Sequence, residues 1–218
     1  MSILKNLISY IFDFQIEKRR SDYSGNVQVS LSQGQFKLST QKAIYSFGKK
    51  YTSFDVAFKA LDIQKQPIKT VLVLGFGLGS VVDLLENHPT INEITAVDAD
   101  AIIIELAKKY LQSTLKSKTI FKCDDAALFV NNVQKPFDLV LFDVFIQDET
   151  PLSFMQKDFL STLKNTVNKN GILLFSKIDD SNKSKIENMQ FESVFTEVFN
   201  ESFNIDTNGN KVFCWINR

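Results

Sequence analysis

One histidine, two cysteines, one tryptophan and four prolines in 218 residues leave little material for several kinds of chemistry. A lone histidine, His88, excludes a multi-histidine metal site, and its position in ENHPT reads as a surface or capping role at a helix end. Cys123 and Cys214 lie 91 residues apart with no CxxC, and they read as two small buried thiols in a reducing cytoplasm. Net charge is absent too: 25 basic residues balance 25 acidic ones, without the basic excess of a nucleic-acid binder. No run of 18 apolar residues exists, so no membrane span is expected. The opening stretch MSILKNLISYIFDF has no basic leader and no small-residue cleavage site, so no signal peptide is expected. Its apolar positions 3, 4, 7, 8, 11 and 12 share one helical face and read as a docking helix.

What is present is apolar and aromatic. The apolar fraction is 44% and includes 20 phenylalanines, enough for a sizeable core. Charge is uneven along the chain. Residues 1–69 hold 11 basic and 5 acidic side chains, and residues 70–218 hold 14 and 20. An acidic main part tolerates a cationic small substrate. Between residues 14 and 47, NVQVSLS, GQFKLST and KAIYSF alternate as short strands of a small antiparallel sheet, and residues 51–61 read as a helix. From residue 70 the grammar is strand, helix, strand, helix. Strands are expected at 70–75, 93–98, 119–123, 137–143 and 171–176, with helices near 79–87, 100–112, 125–132 and 152–168. The tail VFTEVFNESFNI, TNGN, KVFCWINR reads as a closing hairpin turning at Asn208-Gly209. The expectation is an α/β fold: a doubly wound, mostly parallel seven-stranded sheet with a C-terminal antiparallel hairpin. Residues 1–66 form a helix and a small β-domain ahead of it, and residues 67–218 form the main domain.

Three of the eight glycines fall in GFGLG, residues 75–79, where the first strand of the main sheet meets its helix. Such a turn needs positive φ or no Cβ, and it lets a ligand lie against main chain. Gly75, Gly77 and Gly79 therefore read as a floor under a nucleoside-type ligand. Asp98 ends the next strand, where a carboxylate can accept two ribose hydroxyls. Asp100 follows as a helix N-cap. In CDDAALF, Asp124 or Asp125 is placed to reach an adenine amino group, and one of the pair also reads as a cap. Dinucleotide sites favour G-x-G-x-x-G to seat a pyrophosphate. Here the spacing is G-x-G-x-G, with Ser80 where the last small residue would fall, which suits a ligand without phosphate.

VLVLGFGLGS, ITAVDADAIIIELAKKYL, CDDAALFV and FDLVLFDVF, in this order, resemble the spermidine/spermine synthase family and, more broadly, class I S-adenosylmethionine-dependent methyltransferases. The resemblance implies a Rossmann-like main domain, a donor that is S-adenosylmethionine or its decarboxylated form, no metal, and a homodimer. It implies that Gly75, Phe76, Gly77 and Gly79 line the adenosyl thioether, that Asp98 with Ala99 holds the ribose, and that Asp124 with Asp125 meets the adenine. Asp143, closing the fourth strand, would face a small amine acceptor of the polyamine kind as the catalytic acid–base group, with Tyr45 and Asp148 beside it. The family's turn carries an aspartate where Leu78 stands, and glycines where Phe76 and Ser80 stand. Its second acid falls at Ile146, with Asp148 and Glu149 just after. Methyl transfer therefore stays open as an alternative, and so does a non-catalytic relative in which Leu78 faces the donor's amino group.

Overall fold

The structure is a computed structural model that describes residues 3–41, 43–50, 53–111, 114–146, 149–207 and 209–218. The central strands of its main sheet carry apolar side chains on both faces. β5 (Thr70–Leu74) sends Val71 and Val73 to one face and Leu72 and Leu74 to the other, and each pair joins a separate buried cluster. Only a strand covered on both sides can bury such a run. β6 (Glu93–Asp98), β7 (Thr119–Cys123), β8 (Phe137–Phe142) and β9 (Val167–Ile178) continue the pattern in parallel. Their covering helices are α3 (Ser80–Leu84), α4 (Ala101–Tyr110), α5 (Ala126–Asn131) and α6 (Lys157–Lys164). β10 (Phe203–Asp206) and β11 (Asn210–Ile216) close the edge as an antiparallel hairpin. The seven-stranded order is β10-β11-β9-β8-β5-β6-β7, so the strand order reverses between β5 and β8. The turn signal at Asn208 lies outside the described residues.

At the opposite edge of the sheet one carboxylate holds three strands in register. Asp138 Oδ2 accepts from the N–H groups of Lys69 (2.9 Å) and Thr70 (3.0 Å), and its Oδ1 accepts from Asn168 Nδ2 (2.8 Å). The ends of β5, β8 and β9 are thereby tied at their entry side.

Two elements differ from the sequence reading. Residues 194–198 are not strand but the end of α7 (Asn182–Val198), the longest helix described, started by a Ser181–Ser184 capping box. Phe191, Phe195 and Phe199 recur every four residues and stack along it, with ring centroids 5.5 and 4.3 Å apart. The expected helix over 152–168 is a 3-10 turn (Leu152–Met155) followed by α6, and β9 starts four residues early, at Val167.

The N-terminal part is a four-stranded antiparallel sheet: β1 (Phe14–Ser21), β2 (Gly25–Ser32), β3 (Gln35–Ser39) and β4 (Ile44–Ser46). Its apolar face does not close on itself. Val27, Val29 and Leu38 bury against Leu78, Ile103 and Leu106 of the main part. Around this seam Glu17 accepts from Lys109 Nζ and Tyr110 Oη, both at 2.7 Å. α2 (Asp55–Ala60) places Phe58 and Ala57 in the core under β5. α1 (Ile3–Ile8) is tied to the β2–β3 turn through Ser9, whose Oγ accepts from the Gly34 N–H at 2.9 Å. The docking face expected there is open, since Leu7, Ile11 and Phe12 are exposed. No helix among the described residues is long and apolar enough to cross a membrane.

Candidate functional site

Where the strand order reverses, the loops after β5 and β8 diverge and leave a crevice at the carboxyl edge. A cleft of about 200 Å³ opens there. A second cavity, between the N-terminal sheet and α3, is about as large, so size does not single out the site. The lining does. Gly75, Gly77, Asp98, Ala99, Asp124, Asp125, Asp143 and Tyr45 all face the first cleft. Five carboxylates line it, and no Lys or Arg does among the described residues.

The glycine turn is shaped first by the protein itself. Gly75 has φ +82, and a side chain there would run into the main chain of Asp143. At Gly77, φ is +56, and a Cβ would sit 2.9 Å from the Tyr45 carbonyl oxygen. Both leave bare main chain towards the cleft. Phe76 and Gly79 are not part of the lining. Phe76 turns into the core, edge-on to Phe121 at 5.5 Å, and the space beside Gly79 is filled by the Phe76 ring and Leu111. Leu78 does not face the cleft either, because it is buried in the seam with the N-terminal sheet. The apolar residue that would mark a decayed donor site is thus a core residue pointing elsewhere.

Asp98 keeps part of its surface open to the cleft while its carboxyl lies deep. Burial pushes its pKa up to about 6, against hydrogen bonds from the N–H groups of Asp100 (3.0 Å), Gly77 (3.3 Å) and Phe76. Asp100 caps α4 by accepting from the Ile102 N–H at 2.9 Å, and it also accepts from Ser21 Oγ on the β1–β2 hairpin. That bond ties the hairpin, with Tyr23 and Ser24 at the cleft, to the loop after β6. Nothing in the residues near Ser21 or Asp100 announces this contact. Of the CDD pair, Asp125 is the cap, accepting from the N–H groups of Ala127 (2.8 Å) and Leu128 (3.2 Å). Asp143 sits at the centre of the cleft, half-buried, one strand over from Gly75.

Ile146 is on the rim, 51% exposed, paired through its main chain with Glu149. The Glu149 carboxylate is turned outward to Lys183 Nζ at 2.7 Å. Asp148 lies outside the described residues. Two expectations are reversed. His88 is buried, not on the surface, with Nε2 3.0 Å from the Ile63 carbonyl oxygen, and burial holds its pKa below the ordinary histidine value. Of the two thiols only Cys214 is buried, its pKa pushed up to about 12 by desolvation, whereas Cys123 is exposed. The helix end around His88 folds back onto the turn at Ile63, and β7 is the sheet's edge strand, so local sequence showed neither. No group of three or more His, Cys, Asp or Glu among the described residues is placed to hold a metal ion.

The spermine/spermidine synthase domain profile matches residues 48–206, nearly three-quarters of the chain, and takes in β5 to β9. The chain belongs to the spermine/spermidine synthase family. Among curated members, a polyamine aminopropyltransferase of Saccharolobus islandicus is 30% identical over 113 residues, covering 49% of this chain and 38% of that protein. An eEF1A lysine and N-terminal methyltransferase homolog of Drosophila pseudoobscura pseudoobscura is 29% identical over 163 residues, covering 69% of this chain and 24% of that one. The chain thus spans well under half the length of these relatives. In fold it resembles a probable spermidine synthase of Corynebacterium glutamicum, with a TM-score of 0.76 at 16% identity over 93% of this chain and 80% of that one. That likeness is one of fold, a Rossmann-like main sheet with its hairpin and a small N-terminal sheet.

Proposed function

We propose that this chain is a transferase that moves an aminopropyl group from decarboxylated S-adenosylmethionine to an amine of the polyamine class. The observation that carries the reading is the lining of the cleft. Bare main chain at Gly75 and Gly77 lies between carboxylates, with no described cationic side chain. Such a lining attracts a sulfonium and an ammonium and repels a pyrophosphate. The names of the family and of its aminopropyltransferase members support the same reaction. Methyl transfer from intact S-adenosylmethionine is the second reading, favoured by the name of the insect relative.

In this reading Asp98 accepts the two ribose hydroxyls, with Ala99 beside them, and Asp124 receives the adenine amino group. Asp125 shapes that wall as a helix cap. The donor supplies a carbon activated by its positive sulfur. Asp143 orients the incoming ammonium, whose pKa near 10 keeps it protonated, and takes its proton. The freed nitrogen lone pair then bonds to the carbon beside sulfur. The carbon–sulfur bond breaks, and its electron pair stays on sulfur as a neutral thioether. The second proton on nitrogen remains on the product amine or leaves to water. Tyr45 flanks the acceptor, and Asp148 is assigned there on resemblance alone.

Titration calorimetry with S-adenosylmethionine, its decarboxylated form and methylthioadenosine tests the donor. Preference for the decarboxylated compound is expected. Preference for the intact one selects methyl transfer, and no binding of any of the three below millimolar concentration refutes the reading.

A further inference from the structure

Ser21 ends β1 and is buried where the N-terminal hairpin meets the loop after β6. Its one hydroxyl makes every hydrogen bond open to it. It donates to Asp100 Oδ2, and it accepts from the N–H groups of Tyr23 at 3.0 Å and Ser24 at 3.1 Å. Those two amides belong to the residues that the β1–β2 turn contributes to the cleft lining.

The turn itself stands out from the fold. Tyr23 is exposed, and a Cβ built on Gly25 would meet nothing within 4 Å. On the other side of the bond, Asp100 is anchored twice more. Its Oδ1 accepts from the Ile102 N–H at 2.9 Å, and its own N–H donates to Asp98 Oδ1 at 3.0 Å. An unbroken chain of hydrogen bonds thus runs from Asp98 through Asp100 and Ser21 to the turn.

Resting on the transferase reading above, we propose that Ser21 is a positioning residue for the donor. It touches no reacting atom. Its hydroxyl fixes the turn so that Tyr23 and Ser24 stand as a wall of the cleft beside Asp98. A buried hydrogen bond to a carboxylate is among the strong ones, so the turn is held before any ligand arrives. A wall already ordered loses less conformational freedom on binding, and that preorganisation appears as affinity.

Calorimetry tests this with methylthioadenosine on the unaltered chain and on three variants. Ser21→Ala is expected to weaken binding at least tenfold. Ser21→Thr keeps the hydroxyl and is expected to stay within threefold. Tyr23→Ala, at an exposed position, removes the wall while leaving the tie, and is expected to weaken binding at least fivefold. Amide hydrogen exchange gives a second readout. In Ser21→Ala the Tyr23 and Ser24 amides are expected to exchange at least tenfold faster, with β5 and β8 unchanged, which separates a loosened turn from a loosened fold. Binding within threefold by Ser21→Ala or by Tyr23→Ala overturns the proposal while sparing the donor reading. So does a loss that Ser21→Thr shares, or one that comes with faster exchange throughout β5 and β8. Failure of the unaltered chain to bind methylthioadenosine removes the donor reading as well.

Discussion

Asp98 is held at a pKa of about 6 in the free chain, above its ordinary 3.8, chiefly by burial. Between those values the folded chain takes up a proton that the unfolded chain does not. This group therefore favours the fold as pH falls through 6, and it costs stability above 6. Asp98→Asn is expected to raise stability at pH 7 by about 1–3 kcal/mol in urea denaturation, while weakening donor binding at least a hundredfold. If Asp98 holds the ribose as proposed, its hydroxyls donate to the charged form, so donor binding is expected to release a proton and affinity to fall about tenfold per unit below pH 6. Calorimetry in buffers of different ionisation enthalpy reads that proton. Asp143→Asn is expected to cut turnover about a thousandfold or more, with donor affinity unchanged within twofold. An aspartate at position 78, by contrast, brings no gain. Leu78 sits in an apolar seam, and Leu78→Asp should cost about 3 kcal/mol or more in thermal unfolding, because its charge would be buried unpaired.

At the scale of elements, the strands were readable because they are unmixed: TVLVL, EITAVD and FDLVLF leave no helical face to bury, and their observed ends fall within one residue of the expected ones. Strand ends in turn fix where Asp98 and Asp143 stand, so the position of the cleft was legible along with the sheet. α7 was not. Its first half, NKSKIENM, leaves its only apolar residues, Ile186 and Met189, exposed, and its phenylalanines at 191, 195 and 199 continue to Phe203, which lies in a strand. Spacing by four was the available signal. Truncating one of those rings, Phe195→Ala, is expected to cost about 3–5 kcal/mol in urea unfolding. Leu78 and the Ser21–Asp100 bond were hidden for a different reason: both depend on how the N-terminal sheet meets α4, and contacts so distant in sequence leave no local pattern.

The molecule as a whole joins two sheets across one apolar seam stitched by Glu17. Hydrogen bonds from Lys109, Tyr110 and Arg19 hold the Glu17 carboxyl at about 2, below its ordinary 4.5. Its contribution is complete above pH 4.5 and fades as pH falls towards 2, and with partners this exposed it amounts to about 1 kcal/mol. Glu17→Gln should therefore lower the unfolding midpoint at pH 7 and leave it nearly unchanged at pH 2.5. Because the seam is shared, far-ultraviolet circular dichroism and Trp215 fluorescence should trace one coincident transition with denaturant.

The carboxylate of Asp138, tying three strands at their entry side, gives the sheet a fixed hem far from the cleft. Loss of that tie is an injury to durability, visible as earlier melting with ligand binding at the far margin unchanged. The loops of that margin, rim positions such as 146 among them, can then vary without reopening the question of whether the chain folds.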